Sequence, residues 1–138
     1  MIVLNGKKTS DEIKNEIAEQ VKNLKINGNR SPHLAAVIVG NDGASLTYVG
    51  SKVKACERIG FESTLISLNA SISENDLLKK VNELNNDNEI DGYIVQLPLP
   101  KHIDTQKILM AIDPNKDVDG FHPTNFGKMA LNLPTFIS

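Results

Sequence analysis

The chain has 138 residues, of which 40% are hydrophobic and 23% charged, proportions that fit one globular domain and exclude a disordered or fibrous chain. Its formal charge of −2, its scattered basic residues and its aromatic content of four Phe, two Tyr and no Trp offer neither a cationic field nor a stacking surface, which argues against nucleic acid as a partner. A single cysteine, Cys56, rules out an internal disulfide and a thiolate zinc cluster and places the chain in the cytoplasm; no stretch has signal-peptide or transmembrane character, so no membrane partner is expected.

From the amino terminus, Thr9 and Glu12 form a T-x-x-E capping box, followed by Ile13, Ile17, Val21 and Leu24 at helical spacing. This predicts an amphipathic helix closed by "NGN" at 27–29. "LAAVIVG", 34–40, is apolar without alternation, as expected of a strand covered on both faces. A second helix is expected from near Ala44 to about Ile59, and "FESTLISL", 61–68, reads as a second buried strand with a β-branched bias. Ser73 caps a third helix with Asp76 three residues on. There Ile72 staples onto Leu77, and Leu77, Leu78, Val81 and Leu84 form the buried stripe. "GYIVQLPLP", 92–100, is the third strand, and its prolines end any ladder after about Gln96. A fourth helix, roughly 105–112, must stop before Pro114.

Strands alternating with helices predict an α/β fold, a three-layer sandwich with a mostly parallel sheet flanked by helices. Ligands in such folds gather at the carboxyl ends of the strands. That nominates the turn after Gly40, the segment after Val95 and the loop after Pro114.

The first place reads "VGNDGASLTYVGSK", a glycine turn leading into a helix whose free amides suit an anion or a polar ring. Tyr48 and Lys52, four residues apart, share one helix face, with Ser45 nearly aligned. A Y-x-x-x-K pair is ordinarily a solvated face; the functional alternative is a lysine serving as acid or base. Short-chain dehydrogenases carry the same pair, but after a G-x-G-x-x-G unit, which Gly40 and Gly43 do not supply. At the second place Gln96 leaves the sheet, either bonded to loop backbone or orienting a lysine or a substrate carbonyl.

The third place contains "KDVDGFHPTN", 116–125, which is not expected to be regular helix. Asp113, Asn115 and Asp117 start like a calcium loop, but the glycine falls at the eighth position and Thr124 stands at the twelfth. The three histidines, His33, His102 and His122, are too dispersed for a transition metal. No metal is expected. What remains is a turn held by its own aspartates, or a pocket wall in which Asp117 or Asp119 accepts ligand N–H donors.

Jointly, "VGNDGASLTYVGSKVKACERIG", "DGYIVQLPLPKH" and "IDPNKDVDGFHPTNFGKMAL" resemble the amino-terminal, substrate-binding domain of the bifunctional methylenetetrahydrofolate dehydrogenase and methenyltetrahydrofolate cyclohydrolase family. The fold implied is that of an amino-acid-dehydrogenase-like amino-terminal domain. The resemblance gives Lys52 the role of the catalytic lysine in hydration and opening of the methenyl bridge, and Tyr48 that of the ring packed on the folate. Ser45 is the pocket serine, Gln96 the glutamine that bonds and tunes the lysine, and Asp119 the aspartate receiving the pterin donors. Leu97, Pro98 and Pro100 are implied to shape the pocket. A lysine that is neutral for part of the cycle can take water's proton.

The family's second domain, a Rossmann fold for NAD or NADP, has no counterpart in these residues. We therefore expect 1–138 to be a single tetrahydrofolate-binding catalytic domain, with no cofactor of its own and cyclohydrolase activity at most. The family implies a multifunctional oxidoreductase and hydrolase of one-carbon metabolism serving purine biosynthesis, and a homodimer. A non-catalytic small-molecule-binding module of the same architecture is the alternative.

Overall fold

The structure, a computed structural model, describes residues 5–40 and 43–135, with Ala44 and Leu46 as backbone only. The Asn41–Asp42 turn nominated from the sequence lies outside the described residues.

Among the described residues, three parallel strands form the sheet in the order β2-β1-β3. Strand β1 (His33–Val39) is central, with β2 (Glu62–Leu68) on one side and β3 (Gly92–Val95) on the other. The apolar run of β1 is explained by its place, since the strand is covered on both faces. Ala35, Val37 and Val39 face a cluster with Leu77, Val81 and Leu84 of α3 (Glu74–Asn86) and Ile108 of α4 (Thr105–Ala111). Ala36 and Ile38 face a second cluster with Val49 of α2 (Gly43–Ile59) and Ile94 of β3. The layers are therefore helix, sheet, helix, as the sequence predicts. Each fully buried aliphatic side chain contributes about 1.5–3 kcal/mol by leaving water.

Helix α3 begins as expected: Ser73 Oγ accepts from Asp76 N at 3.1 Å and donates to the Asp76 carboxylate at 2.7 Å. Four sequence expectations need correction. Helix α1 (Gly6–Ile26) is capped by Asn5, whose side chain accepts from Lys8 N; Thr9 lies inside the first turns and its hydroxyl donates to Asn5 O. Asn at the cap position offers the same acceptor as Thr, four residues earlier. Of the α1 stripe, only Val21 is buried, while Ile13 and Leu24 are 50% and 41% exposed, because α1 packs on α2 and not on the sheet. Strand β2 is an edge strand with no buried residue, which its Glu62, Ser63, Thr64 and Ser67 already indicate. Finally, Pro123–Ala130 forms α5, so the last three residues of "KDVDGFHPTN" are helical. Proline at the first helical position starts a helix as readily as it breaks one, and the His122 ring nitrogen caps Thr124 N.

Candidate active site

Along α2, Ser45, Val49 and Cys56 are buried, at 6%, 0% and 4% exposure. Spacings of four, three and four run through them and Lys52, so the lysine stands on the stripe that faces the domain body. Its side chain is 25% exposed. That placement disposes of the solvated-face reading for Lys52. Tyr48, one turn earlier, is 56% exposed, and its ring lies under the ammonium with Nζ 4.8 Å from the centroid. A cation over a ring at this distance is attracted by the ring's negative face.

The ammonium also donates to Asp119 Oδ1 at 3.4 Å. Asp119 arrives there because the preceding loop is gripped on several sides. Asn85 of α3 accepts Asp113 N at 2.8 Å and the Tyr93 hydroxyl at 2.7 Å, and its own amide donates to Ala111 O. Lys116 Nζ donates to Leu84 O and Asp87 O, at 2.7 and 2.6 Å, closing the carbonyl end of α3 with a cation. Tyr93 N donates to Lys116 O, and residues 93 and 117 pair as a parallel bridge, so the loop runs beside β3.

Gly92 permits that approach. A Cβ at this position would stand 2.3 Å from Val118 Cγ1 and 3.4 Å from Lys116 O. Glycine is needed here for close passage, not for a positive φ.

The two aspartates of the loop then part company. Asp117 is 2% exposed and accepts from His122 N at 2.8 Å, Phe121 N at 3.3 Å and Asn125 Nδ2 at 3.0 Å. Asp119 has a side chain 31% exposed and faces Lys52. Of the two carboxylates left open by the sequence, Asp119 is the one with solvent-facing capacity for a ligand. The phenol of Tyr93, behind the loop, is held protonated far above the ordinary tyrosine range by burial, with the charges of Asp113 and Asp117 acting in the same direction.

The second nominated place is less engaged. Gln96 N continues the ladder to Val37 O, but Gln96 Nε2 donates to Leu97 O at 2.8 Å, the loop-backbone arrangement. The hydrogen bond shown for Lys52 goes to Asp119. The Leu97–Pro98 peptide is cis, Pro98 is exposed and Pro100 half-buried. Sequence reasoning missed Asn85, Tyr93, Lys116 and Asn125, whose polar ends work inside the fold. The α5 start at His122-Pro123 was the available signal for Asn125.

A concavity of about 820 Å³ between α1 and α2, lined by Ile13, Ile17, Ala55 and Ile59 among others, includes neither Lys52 nor Asp119. Among the described residues no group of three or more His, Cys, Asp or Glu could hold a metal ion, and no helix is long and apolar enough to cross a membrane.

Residues 4–119 match the family described as tetrahydrofolate dehydrogenase/cyclohydrolase, catalytic domain. The bifunctional protein FolD of Flavobacterium johnsoniae is 69% identical over 137 residues, covering 99% of this chain and 46% of that protein. The crystal structure of the bifunctional enzyme FolD, a methylenetetrahydrofolate dehydrogenase/cyclohydrolase from Campylobacter jejuni, matches with a TM-score of 0.94 at 46% identity, covering 99% of this chain and 48% of that one. The Trypanosoma brucei methylenetetrahydrofolate dehydrogenase-cyclohydrolase, complexed with NADP cofactor and inhibitor, matches with a TM-score of 0.88 at 35% identity over 93% of this chain and 43% of that one. The chain spans about half the length of the curated relatives it matches.

Proposed function

This chain belongs to the tetrahydrofolate dehydrogenase/cyclohydrolase family, and from that premise we propose that it binds a reduced folate between α2 and the Asp119 loop, with Lys52 as proton-transfer group for hydration of the methenyl bridge. The observation that carries the reading is the convergence of three groups from two distant parts of the chain. Lys52 sits on the core-facing stripe of α2, over the Tyr48 ring and against Asp119. Asp119 offers two oxygens to the adjacent ring and amino N–H donors of a pterin, a two-point contact. Tyr48, more than half exposed, presents an open ring face for the folate to pack on.

The chemistry then runs as follows. Water oxygen forms a bond to the cationic methenyl carbon as one of its protons passes to the Lys52 amine; the resulting hydroxyl then gives up its remaining proton as its oxygen becomes the formyl carbonyl, and the carbon's bond to one bridge nitrogen breaks as that nitrogen receives a proton. One water is consumed, one proton is released, and the product is the formyl compound. Gln96, Leu97, Pro98, Pro100 and Ser45 are assigned to the surrounding pocket, a role supported by the resemblance of their motifs.

A nicotinamide cofactor does not fit the residues of this chain. The glycines flanking the turn into α2, Gly40 and Gly43, lack the spacing that brings backbone against a pyrophosphate, and these residues take no part in a hydride step. For the whole protein, the proposal is interconversion of methylene-, methenyl- and formyl-tetrahydrofolate in the cytoplasm, as a homodimer using NADP or NAD.

The test follows loss of methenyltetrahydrofolate absorbance by the purified chain and by Lys52→Met, with folate binding read from the ligand-induced rise in unfolding temperature. Wild type should bind and turn over, and Lys52→Met should bind but lose about 100-fold or more in rate. Full turnover by Lys52→Met would remove the lysine from the mechanism. Binding without turnover in wild type would favour the non-catalytic binding module.

A further inference from the structure

We infer that Asp117 is a positioning residue, the group that aims Asp119 at Lys52 and at the ligand without touching either. The inference deepens the proposed function and rests on it only in taking Asp119 as the ligand's acceptor.

Four observations meet here. First, Asp117 is a carboxylate at 2% exposure, and a buried charge persists only where donors replace its water. Its donors are His122 N and Phe121 N, from the turn that leads out of the Asp119 loop, and Asn125 Nδ2, from the first turn of α5. Second, Gly120 N donates to Asp117 O at 3.3 Å, and Gly120 takes a φ of +69°. The chain is therefore closed on itself by Asp117, and Asp119 rides within that closure. Third, Val118 between them is packed into the cluster with Val49 and Ile94, so its neighbours have little freedom to rotate. Fourth, the Asn125 amide, itself 2% exposed, donates both to Asp117 Oδ2 and to Pro114 O at 2.8 Å, while its oxygen accepts from the Thr135 hydroxyl at 2.9 Å.

One side chain thus ties the start of the loop to the carboxylate that closes its end. Successive side chains go to different anchors, Lys116 to the end of α3, Asp117 to the start of α5 and Val118 to the core. Asp119 is the one left to face the lysine. The negative charge of Asp117 matters beyond its shape, because three N–H groups converge on two oxygens; asparagine would turn a donor toward donors.

The experiment reads the Asp119 carboxyl carbon by NMR in ligand-free protein, with and without Lys52→Met. In wild type, removing the ammonium should shift that resonance. In the Asp117→Asn background the response should fall to less than half, with the amide spectrum of the sheet unchanged. An undiminished response, or no response in wild type, would overturn the inference. Asn125→Ala, which removes one donor and leaves the charge, should give a partial loss and serves if Asp117→Asn does not fold; an unaltered response there counts equally against the inference.

A second arm titrates methenyltetrahydrofolate. Asp117→Asn should weaken binding about 10-fold, and the double Asp117→Asn/Asp119→Asn should bind no more weakly than Asp119→Asn alone, because a residue acting only through another adds nothing once that other is gone. Additive losses would indicate general destabilisation and refute the positioning role. If wild type binds no folate, the proposed function fails while the carboxyl measurement still decides this inference.

Discussion

Replacing Gly92 by alanine tests how the loop is brought to the site. The new methyl would stand 2.3 Å from Val118 Cγ1, whereas carbon atoms rest at about 3.5–4.0 Å, so something must move by about 1.2 Å. Val118 Cγ1 belongs to a branched side chain with one stiff rotation, and Lys116 O behind it is fixed by Tyr93 N. Relief therefore requires the 116–118 backbone to retreat. Overpacking of this kind costs about 1–3 kcal/mol, equivalent to a drop of about 4–12 °C in unfolding temperature for a chain this size. The assay is urea unfolding of Gly92→Ala, Val118→Ala and the double variant. Val118→Ala alone should cost about 1 kcal/mol in lost burial, and the double should recover at least about 1 kcal/mol of the summed losses, since it removes the atom that clashes. Costs that add within about 0.5 kcal/mol would mean that the two positions do not oppose each other, and the account of how the loop reaches Lys52 would fail.

Two pH-linked predictions accompany it. Arg30 bonds both oxygens of Asp91, at 2.7 and 2.8 Å, with His33 N on one of them; the guanidinium holds this carboxyl below its ordinary range. A lowered carboxylate stabilises the fold above its unfolded value and loses that as pH falls, so Asp91→Asn should flatten the decline in urea midpoint below about pH 4; parallel wild-type and variant curves would contradict this. The raised Tyr93 phenol has the opposite sign: above about pH 10 the unfolded chain ionises and the folded one does not, so stability falls there. Tyr93→Phe should remove that alkaline decline while costing about 1 kcal/mol at neutral pH for its bond to Asn85, and a variant with an unchanged alkaline limb would refute it.

The layer order was legible because β1 and α3 write their surroundings into simple patterns, an unbroken apolar run and a stripe of Leu77, Val81 and Leu84. Strand β2 was misread because β-branched content was weighed over its polar residues, which mark an edge. Lys52 and Asp119 were named by resemblance of motifs, yet neither spacing nor composition could show that they meet, since they are separated by 67 positions. That meeting depends on Asn85, Lys116 and Asp117, polar residues of ordinary surface type whose work is visible only after folding. The aspartates of "DVD" are chemically identical and take opposite roles because one is enclosed by N–H donors and the other is not.

The Lys52–Asp119 pair also admits a purely structural reading, and stability can separate the two. Charges 3.4 Å apart attract by about 1 kcal/mol at the dielectric of water and about 5 kcal/mol at an effective value of 20. With the side chains 25% and 31% exposed, the net worth after desolvation and ordering is about 0–1 kcal/mol. Against that stands the position of Lys52 on a stripe with Val49 and Cys56, where an apolar side chain belongs. Lys52→Met keeps the volume, removes the half-buried ammonium and adds apolar contact, while Asp119 retains access to water. Residues kept for chemistry commonly sit at some expense to the fold, so a functional lysine here predicts that Lys52→Met is as stable as wild type or more so, by up to about 1 kcal/mol, in urea unfolding. A structural bridge predicts the reverse. A loss above about 1 kcal/mol would show that the pair is kept for stability, and the core-facing ammonium would then cease to be evidence for catalysis.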